Sequence, residues 1–224
     1  VLRNGLIFDD AEDLNMALGQ TINTEGGYSK WRISGGFFRL NYVFNDRYLL
    51  EVNGRLDGSS KFPSDSQYAF FPSVSAGWRV SQEPFWKVPE EIFSNLKVRA
   101  SYGSLGNGNI DPYSFQELFK IKQSSLVLNG IRPQYTGQPA VIPLGLTWEK
   151  STTLNLGLDF AFLSNRLQFS GDIYQRKTTD MFTVGMSLPA VFGTDVPKGN
   201  YADLTTKGFE LSVPWRDQFQ LASK

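Results

Sequence analysis

Apolar and polar side chains alternate one for one along several stretches of this chain, and that alternation predicts its architecture. From Tyr48 the apolar set is Tyr48, Leu50, Val52, Gly54 and Leu56, and the residues between include Glu51, Asn53, Arg55 and Asp57. Successive side chains of an extended strand point to opposite faces, so one face here is apolar and the other charged. The stretch from Trp31 to Phe44 repeats the pattern, with Phe38, Leu40, Tyr42 and Phe44 set against Arg39 and Asn41. Four more runs do the same: Tyr68 to Arg79, Leu96 to Gly103, Thr152 to Phe162 and Leu167 to Arg176. A last one carries Phe209, Leu211, Val213 and Trp215 against Gly208, Glu210 and Ser212. The predicted fold is all-β, an antiparallel meander of about seven strands.

The connections predict how the meander is placed. Asn45-Asp46 and Ser164-Asn165 are tight-turn signals, whereas Gly58 to Gln67, Ser104 to Thr147 and Lys177 to Leu204 are rich in Gly and Pro and read as long loops. Val80 to Asn95 reads as a turn plus a helical turn, with Pro89 at a first helical position. Short connections thus fall on one side and long ones on the other, as in barrels that cross a membrane with short periplasmic turns and long outer loops. The Val80 to Asn95 connection is the exception and is assigned to the periplasmic side.

A half-buried soluble sheet also alternates, so periodicity leaves the covering of the apolar face open. The aromatic residues favour lipid. Phe44, Tyr48, Trp78, Phe160, Phe162 and Trp215 fall at one level of the scheme, and Trp31, Tyr68, Tyr102 and Trp148 at the other, as interfacial girdles do. Residues 1–30 read as an outer loop segment with a short helix through Leu14, Ala17 and Leu18 that ends at Gly19. Residues 31–217 form the partial barrel, and 218–224 a turn or the start of the next strand.

Composition removes several function classes. No stretch approaches the roughly 18 apolar residues of a membrane helix. Lys plus Arg and Asp plus Glu number 22 each, which leaves no basic surplus for nucleic acid. The chain has no Cys and no His, so disulfides, thiol chemistry, His-based catalysis and the usual zinc sites are absent from it. The acidic run Asp9-Asp10-Ala11-Glu12-Asp13 lacks the residue order of an EF-hand loop and reads as solvated. Gly103 to Gly108 lacks the Gly-Lys-Ser/Thr that completes a phosphate cradle and reads as turn chemistry. No two acids are placed as a glycosidase pair requires. The expectation is a protein with no catalytic residue, cofactor or metal site.

Candidate substrate contacts lie on the polar face and at its mouth: Glu51, Asn53, Arg55, Asp57, Arg99, Asp159, Asp172 and Glu210, with Asn107 and Asn109 in the Gly-rich stretch. A water-filled lumen needs such a ladder of charges paired across strands, whether or not cargo touches it. Tyr113, Phe115, Phe119 and Tyr135 in the longest loop are expected chiefly to pack, with stacking on a sugar as the alternative.

Several phrases carry a family resemblance. They are Asp46-Arg47-Tyr48-Leu49-Leu50, Arg55-Leu56-Asp57-Gly58-Ser59-Ser60-Lys61-Phe62, Phe71-Pro72-Ser73-Val74-Ser75-Ala76-Gly77-Trp78-Arg79 and Leu96-Lys97-Val98-Arg99-Ala100-Ser101-Tyr102-Gly103. Gly106-Asn107-Gly108-Asn109-Ile110, Trp148-Glu149-Lys150-Ser151-Thr152-Thr153-Leu154-Asn155-Leu156-Gly157-Leu158-Asp159 and Asn200 to Leu211, ending Lys207-Gly208-Phe209-Glu210-Leu211, extend them. Over roughly residues 31–217 the chain resembles the SusC/RagA family of TonB-dependent outer-membrane transporters of Bacteroidetes.

The resemblance implies a plugged barrel of about 22 strands in the Gram-negative outer membrane. It also implies energising by TonB through an N-terminal part absent from this chain, and a SusD-like lipoprotein that hands over glycans or peptides. Outer-membrane lipid is then the partner of the apolar face. Seven strands are too few to close such a barrel, so the chain is expected to be a fragment that aggregates alone. A siderophore receptor or passive porin shares the same wall. A soluble β-sandwich carbohydrate-binding module is the rival of another class, and it requires Tyr48, Leu50, Val52, Leu154, Leu156 and Leu158 to be buried against a second sheet.

Overall fold

A computed structural model describes residues 28–217, apart from 90, 140, 144, 188, 190, 192, 194 and 195. It holds nine strands: β1 (Ile33–Phe44), β2 (Tyr48–Ser59), β3 (Tyr68–Arg79), β4 (Phe93–Asn107), β5 (Ile121–Gln123), β6 (Gln134–Thr136), β7 (Glu149–Phe162), β8 (Leu167–Val184) and β9 (Lys198–Ser212). Seven of them form one antiparallel sheet in the order β1-β2-β3-β4-β7-β8-β9, and β5 and β6 form a separate two-stranded sheet. Every sheet neighbour is the next long strand in the chain, which is a meander. The expected short helix before Gly19, the acidic run and residues 218–224 lie outside the described residues.

Local sequence explains the turns. Asn45 and Asp46 adopt φ of 49° and 55°, and the Arg47 N–H donates to the Phe44 carbonyl at 3.0 Å. Asn and Asp tolerate this left-handed backbone, whose twist matches the flanking strands. Leu163, Ser164 and Asn165 are all left-handed at the second tight turn, which the Arg166 N–H closes on the Leu163 carbonyl at 3.2 Å.

The strands run further than their alternation. β4 continues to Asn107, beyond Gly103, and β8 and β9 reach Val184 and Lys198 across much of the expected Lys177 to Leu204 loop. Beyond the apolar band both faces of a strand meet water, so ladder hydrogen bonds persist without hydrophobic alternation to announce them. The β8–β9 ladder shifts register between Thr178 and Met181, where Asp180 takes a φ of 58°. The β5–β6 hairpin inside the longest loop carries no alternation either. Val80 to Asn95 holds a 3-10 turn at Val80–Gln82 and two further turns, one closed by the Trp86 N–H on the Glu83 carbonyl and one in which the N–H groups of Ile92 and Phe93 both donate to the Pro89 carbonyl.

The buried core does not lie under the middle of the sheet. Phe62, Phe71, Ile110, Leu146 and Trp148 form it, at the end where the long loops emerge. On the apolar face Leu50 remains 44 % exposed, Leu156 48 % and Ile173 60 %, with no second layer over them among the described residues. The β-sandwich reading required that layer and is overturned. Trp148 is also removed from the expected girdle: it is buried against Phe62 and Phe71 at centroid distances of 4.7 and 5.9 Å.

Candidate functional site

The register gathers the predicted charges into rows on one face. Cross-strand partners Arg99 and Gly157, then Gly157 and Asp172, then Asp172 and Glu210, run side by side over β4, β7, β8 and β9. Arg99 reaches across the bare Gly157 to both flanking acids. Its Nε and Nη2 donate to the two carboxylate oxygens of Asp159 at 2.7 and 2.9 Å, and Nη2 also donates to Asp172 Oδ2 at 2.9 Å. A Cβ on Gly157 would come within 2.7 Å of the Arg99 Cζ, so the glycine makes room for the guanidinium. Ser170 Oγ donates to Asp159 at 2.7 Å and the Asn155 amide to Asp172 at 2.9 Å. One cation bound by two acids, each also hydrogen-bonded, holds these side chains in fixed positions.

The remaining candidates form smaller groups. Arg39 Nη2 donates to Glu51 Oε2 at 2.5 Å across strands, and the Asn53 amide donates to Glu51 Oε1 at 2.8 Å. Arg55 Nε donates to Asp57 Oδ2 at 2.6 Å along the same strand, not across strands as expected. Asp57 is 9 % exposed and its Oδ1 lacks a hydrogen-bond partner among the described residues, as does Asn155 Oδ1. The Asn109 N–H donates to the Asn107 side chain at 3.1 Å, which shapes a turn. Glu210 stands on β9, opposite Asp172.

Two open grooves flank the Arg99 cluster. One of about 390 Å³ is lined by Glu51, Lys97, Arg99 and Asn155 together with the apolar Val43 and Leu49, among others. The other, about 360 Å³, is lined by residues including Arg79, Lys97, Asp159, Gln168 and Ser170. Asn155 and Ser170 were legible as polar-face positions but carried no sign of their bonding. Among the described residues no group of three or more acids is placed to hold a metal ion.

The long loops rise over one end of this wall. Trp148 Nε1 donates to the Gln67 carbonyl at 3.3 Å, and a Cβ on Gly106 would overlap the Phe71 ring. Asn200 clamps the loop to β9, accepting from the Thr147 N–H and donating to the Thr147 carbonyl, both at 3.0 Å. Phe115 packs against the buried cluster, and the Tyr113 hydroxyl accepts from the Lys30 N–H and donates to the Lys30 carbonyl at 3.0 Å. Phe119 and Tyr135 stay 64 % and 52 % exposed.

At the opposite end Glu83 is buried, which nothing in its surrounding sequence signalled. Its Oε1 accepts from the Tyr48 hydroxyl at 2.6 Å and from Trp78 Nε1 at 2.9 Å, and Arg47 lies 3.5 Å from Oε2. The Tyr48 hydrogen bond, then that of Trp78, hold its carboxyl below the usual carboxylate range against the opposing effect of desolvation, with Arg47 adding to the lowering.

Comparison with known proteins places this wall. Residues 4–223 match the family described as TonB dependent receptor-like, beta-barrel. A TonB-dependent receptor of Formosa agariphila is 38 % identical over 188 residues, covering 83 % of this chain and 18 % of that protein. TonB-dependent receptor SusC of Bacteroides thetaiotaomicron is 35 % identical over 187 residues, covering 79 % of this chain and again 18 % of the relative. The chain therefore spans under a fifth of the length of these relatives. Among solved structures, the RagAB peptide transporter superposes with a TM-score of 0.72 at 25 % identity, over 92 % of this chain and 22 % of that one.

Proposed function

This chain belongs to the TonB-dependent receptor β-barrel family, and we propose that its polar face is one sector of the lumen wall of an importer for peptide or glycan fragments. The strands are part of an outer-membrane barrel of the SusC and RagA kind, with lipid against the apolar face. The observation that carries the functional reading is the asymmetry of the two faces. One bears two hydrogen-bonded groups, Arg39–Glu51–Asn53 and Arg99 with Asp159 and Asp172, beside two open grooves, and the other bears bare leucines and aromatics. Polar oligomers pass along a surface that offers fixed donors and acceptors without a deep pocket to trap them.

In this reading Glu51, Asn53, Arg55, Asp57, Arg99, Asp159, Asp172 and Glu210 set the charge pattern that cargo meets, and Asn107 and Asn109 shape the rim. The work is transport, and no residue is assigned a catalytic role. TonB acts through a part of the parent outside this chain, and a SusD-like lipoprotein covers the long loops, where Phe119 and Tyr135 remain open to stack on cargo or lid. RagAB, a peptide transporter, supports the peptide arm.

The test is uptake of labelled oligopeptides and oligosaccharides by cells carrying the full-length parent. Uptake of one class is expected to vanish when TonB is disrupted and to fall on Arg99→Glu at unchanged outer-membrane level. Uptake indifferent to TonB would make the barrel a porin, and rescue by chelated iron alone would make it a siderophore receptor.

A further inference from the structure

The connection between β3 and β4 does more than turn the chain. It joins the strands at the end that carries the tight turns, yet it folds back onto the apolar face and is fastened there at two places. The first is Glu83, only 8 % exposed, whose carboxylate accepts from Tyr48 and Trp78. These two are register partners on the apolar face, in line with Leu50 and Val52. The second is Trp86, whose ring lies 5.3 Å from Phe93, which in turn meets Phe162 at 4.7 Å. Backbone bonds complete the attachment: the Leu163 N–H donates to the Ile92 carbonyl at 3.4 Å and the Asn165 N–H to Ser94 Oγ at 3.0 Å.

So fastened, the segment leaves its own apolar side chains outward. Phe85 is 62 % exposed, Val88 43 % and Ile92 61 %, with Lys87 exposed among them. A polar connection would suffice to join two strands through water. Bulky apolar groups interleaved with a lysine instead match an interfacial segment, whose rings and branched chains enter the acyl boundary while the ammonium reaches the phosphates. The Glu83 carboxylate suits that place too, because two hydrogen bonds and Arg47 hold its charge before any lipid arrives.

We propose that Val80 to Pro89 is an interfacial strap, which inserts Phe85 and Val88 into the inner-leaflet phospholipid of the outer membrane and sets Lys87 against its headgroups. The occupant follows from continuity: Tyr48 and Trp78 belong to the lipid-facing surface, and the strap lies on them. The proposal rests on the outer-membrane barrel reading and adds to it a lipid contact made by a connection, not by a strand.

The test uses the full-length parent in nanodiscs of phosphatidylethanolamine and phosphatidylglycerol. This chain has no cysteine, and any elsewhere in the parent is replaced by serine. Bimane is attached at Phe85→Cys or Val88→Cys, with Leu156→Cys as the mid-band reference and Ser64→Cys as the reference in the long loops. Acyl chains brominated near the headgroup are expected to quench positions 85 and 88 at least about twofold more than position 64, and iodide to quench them less than position 64. Adding Glu83→Ala should then raise iodide access at 85. Iodide quenching at 85 and 88 equal to that at 64, with the Leu156 probe still quenched by bromolipid, overturns the strap alone. Shielding from both quenchers overturns it in favour of a protein cover. A Leu156 probe open to iodide overturns the barrel reading together with the strap.

Discussion

At the end of the sheet that carries the Asn45–Asp46 and Leu163–Asn165 turns, the connections are held by polar atoms and rings laid on the apolar face: Glu83 between Tyr48 and Trp78, and Trp86 against Phe93. At the opposite end, where residues 60–67 and 108–148 leave the strands, five buried side chains make a small core of their own, centred on Phe62 and Trp148. The connection that carries Glu83 and Trp86 leans on the strands it joins and on their neighbours. Long loops in water order themselves by burying apolar surface against one another and against Phe71 of β3, with Asn200 of β9 clamping them by hydrogen bonds. Between the two ends the sheet keeps its leucines uncovered, because lipid is the other half of its packing.

The largest effect should come from removing that other half. The isolated 224-residue chain presents β1 and β9 with single-sided pairing and a bare apolar face, and it is expected to aggregate in water at both ends alike. A monodisperse, cooperatively melting solution by light scattering and calorimetry would contradict this.

Within the full-length protein, Phe62→Ala should loosen the loop end alone. Phe62 is fully buried, and deletion of such a ring costs about 3–5 kcal/mol. Limited proteolysis should cut within residues 108–148 while the heat-modifiable barrel band on gels stays unchanged; barrel unfolding at the same denaturant concentration would erase the distinction drawn between the ends.

Leu156→Arg probes the band between them. A charge on the lipid face near the midplane costs about 2–4 kcal/mol, so refolding into vesicles should weaken with loop protection intact. An unchanged urea midpoint would mean that the face meets water.

At the turn end Glu83 should act as a pH-dependent fastener. Its carboxyl is lowered by the bonds from Tyr48 and Trp78, so the attachment is fully present above the ordinary carboxylate range and is lost as pH falls through the lowered value. A spin label at position 85 should stay immobile at neutral pH and loosen only in acid. Glu83→Gln keeps an acceptor and loses the charge facing Arg47, so its label should loosen less than that of Glu83→Ala. Motion that rises with pH would reverse the sign and refute the assignment.

The smallest effect is expected at Asp46→Gly. Glycine removes the side-chain cost of a φ of 55° while the Arg47–Phe44 hydrogen bond remains, so stability should rise by no more than about 1 kcal/mol, read as a shift in urea midpoint.

Legibility along the chain followed the solvent. Where one face meets lipid and the other water, as from Tyr48 to Asp57, alternation placed every side chain on its observed face. Where both faces meet water, as in Lys177 to Val184, the strand continued without a periodic signal and read as loop. Trp148 read as a girdle residue because an aromatic at a strand end looks alike whether it faces lipid or a neighbouring loop. The charged candidates were placed on the right face, but their bonding was not, since Arg99 meets Asp159 and Asp172 across 60 and 73 residues of chain.

Sequence by itself determined the seven strands of the main sheet where they cross the apolar band, their order, the two tight turns and which face is apolar, because a period of two and a turn dipeptide act between residues that are chain neighbours. Only the tertiary structure decided that Arg99 serves two acids over the gap left by Gly157, that Phe62 and Trp148 bury each other, and that Glu83 returns to Tyr48 and Trp78. Each of these depends on the register of strands distant in sequence, and register is a property of the assembled sheet.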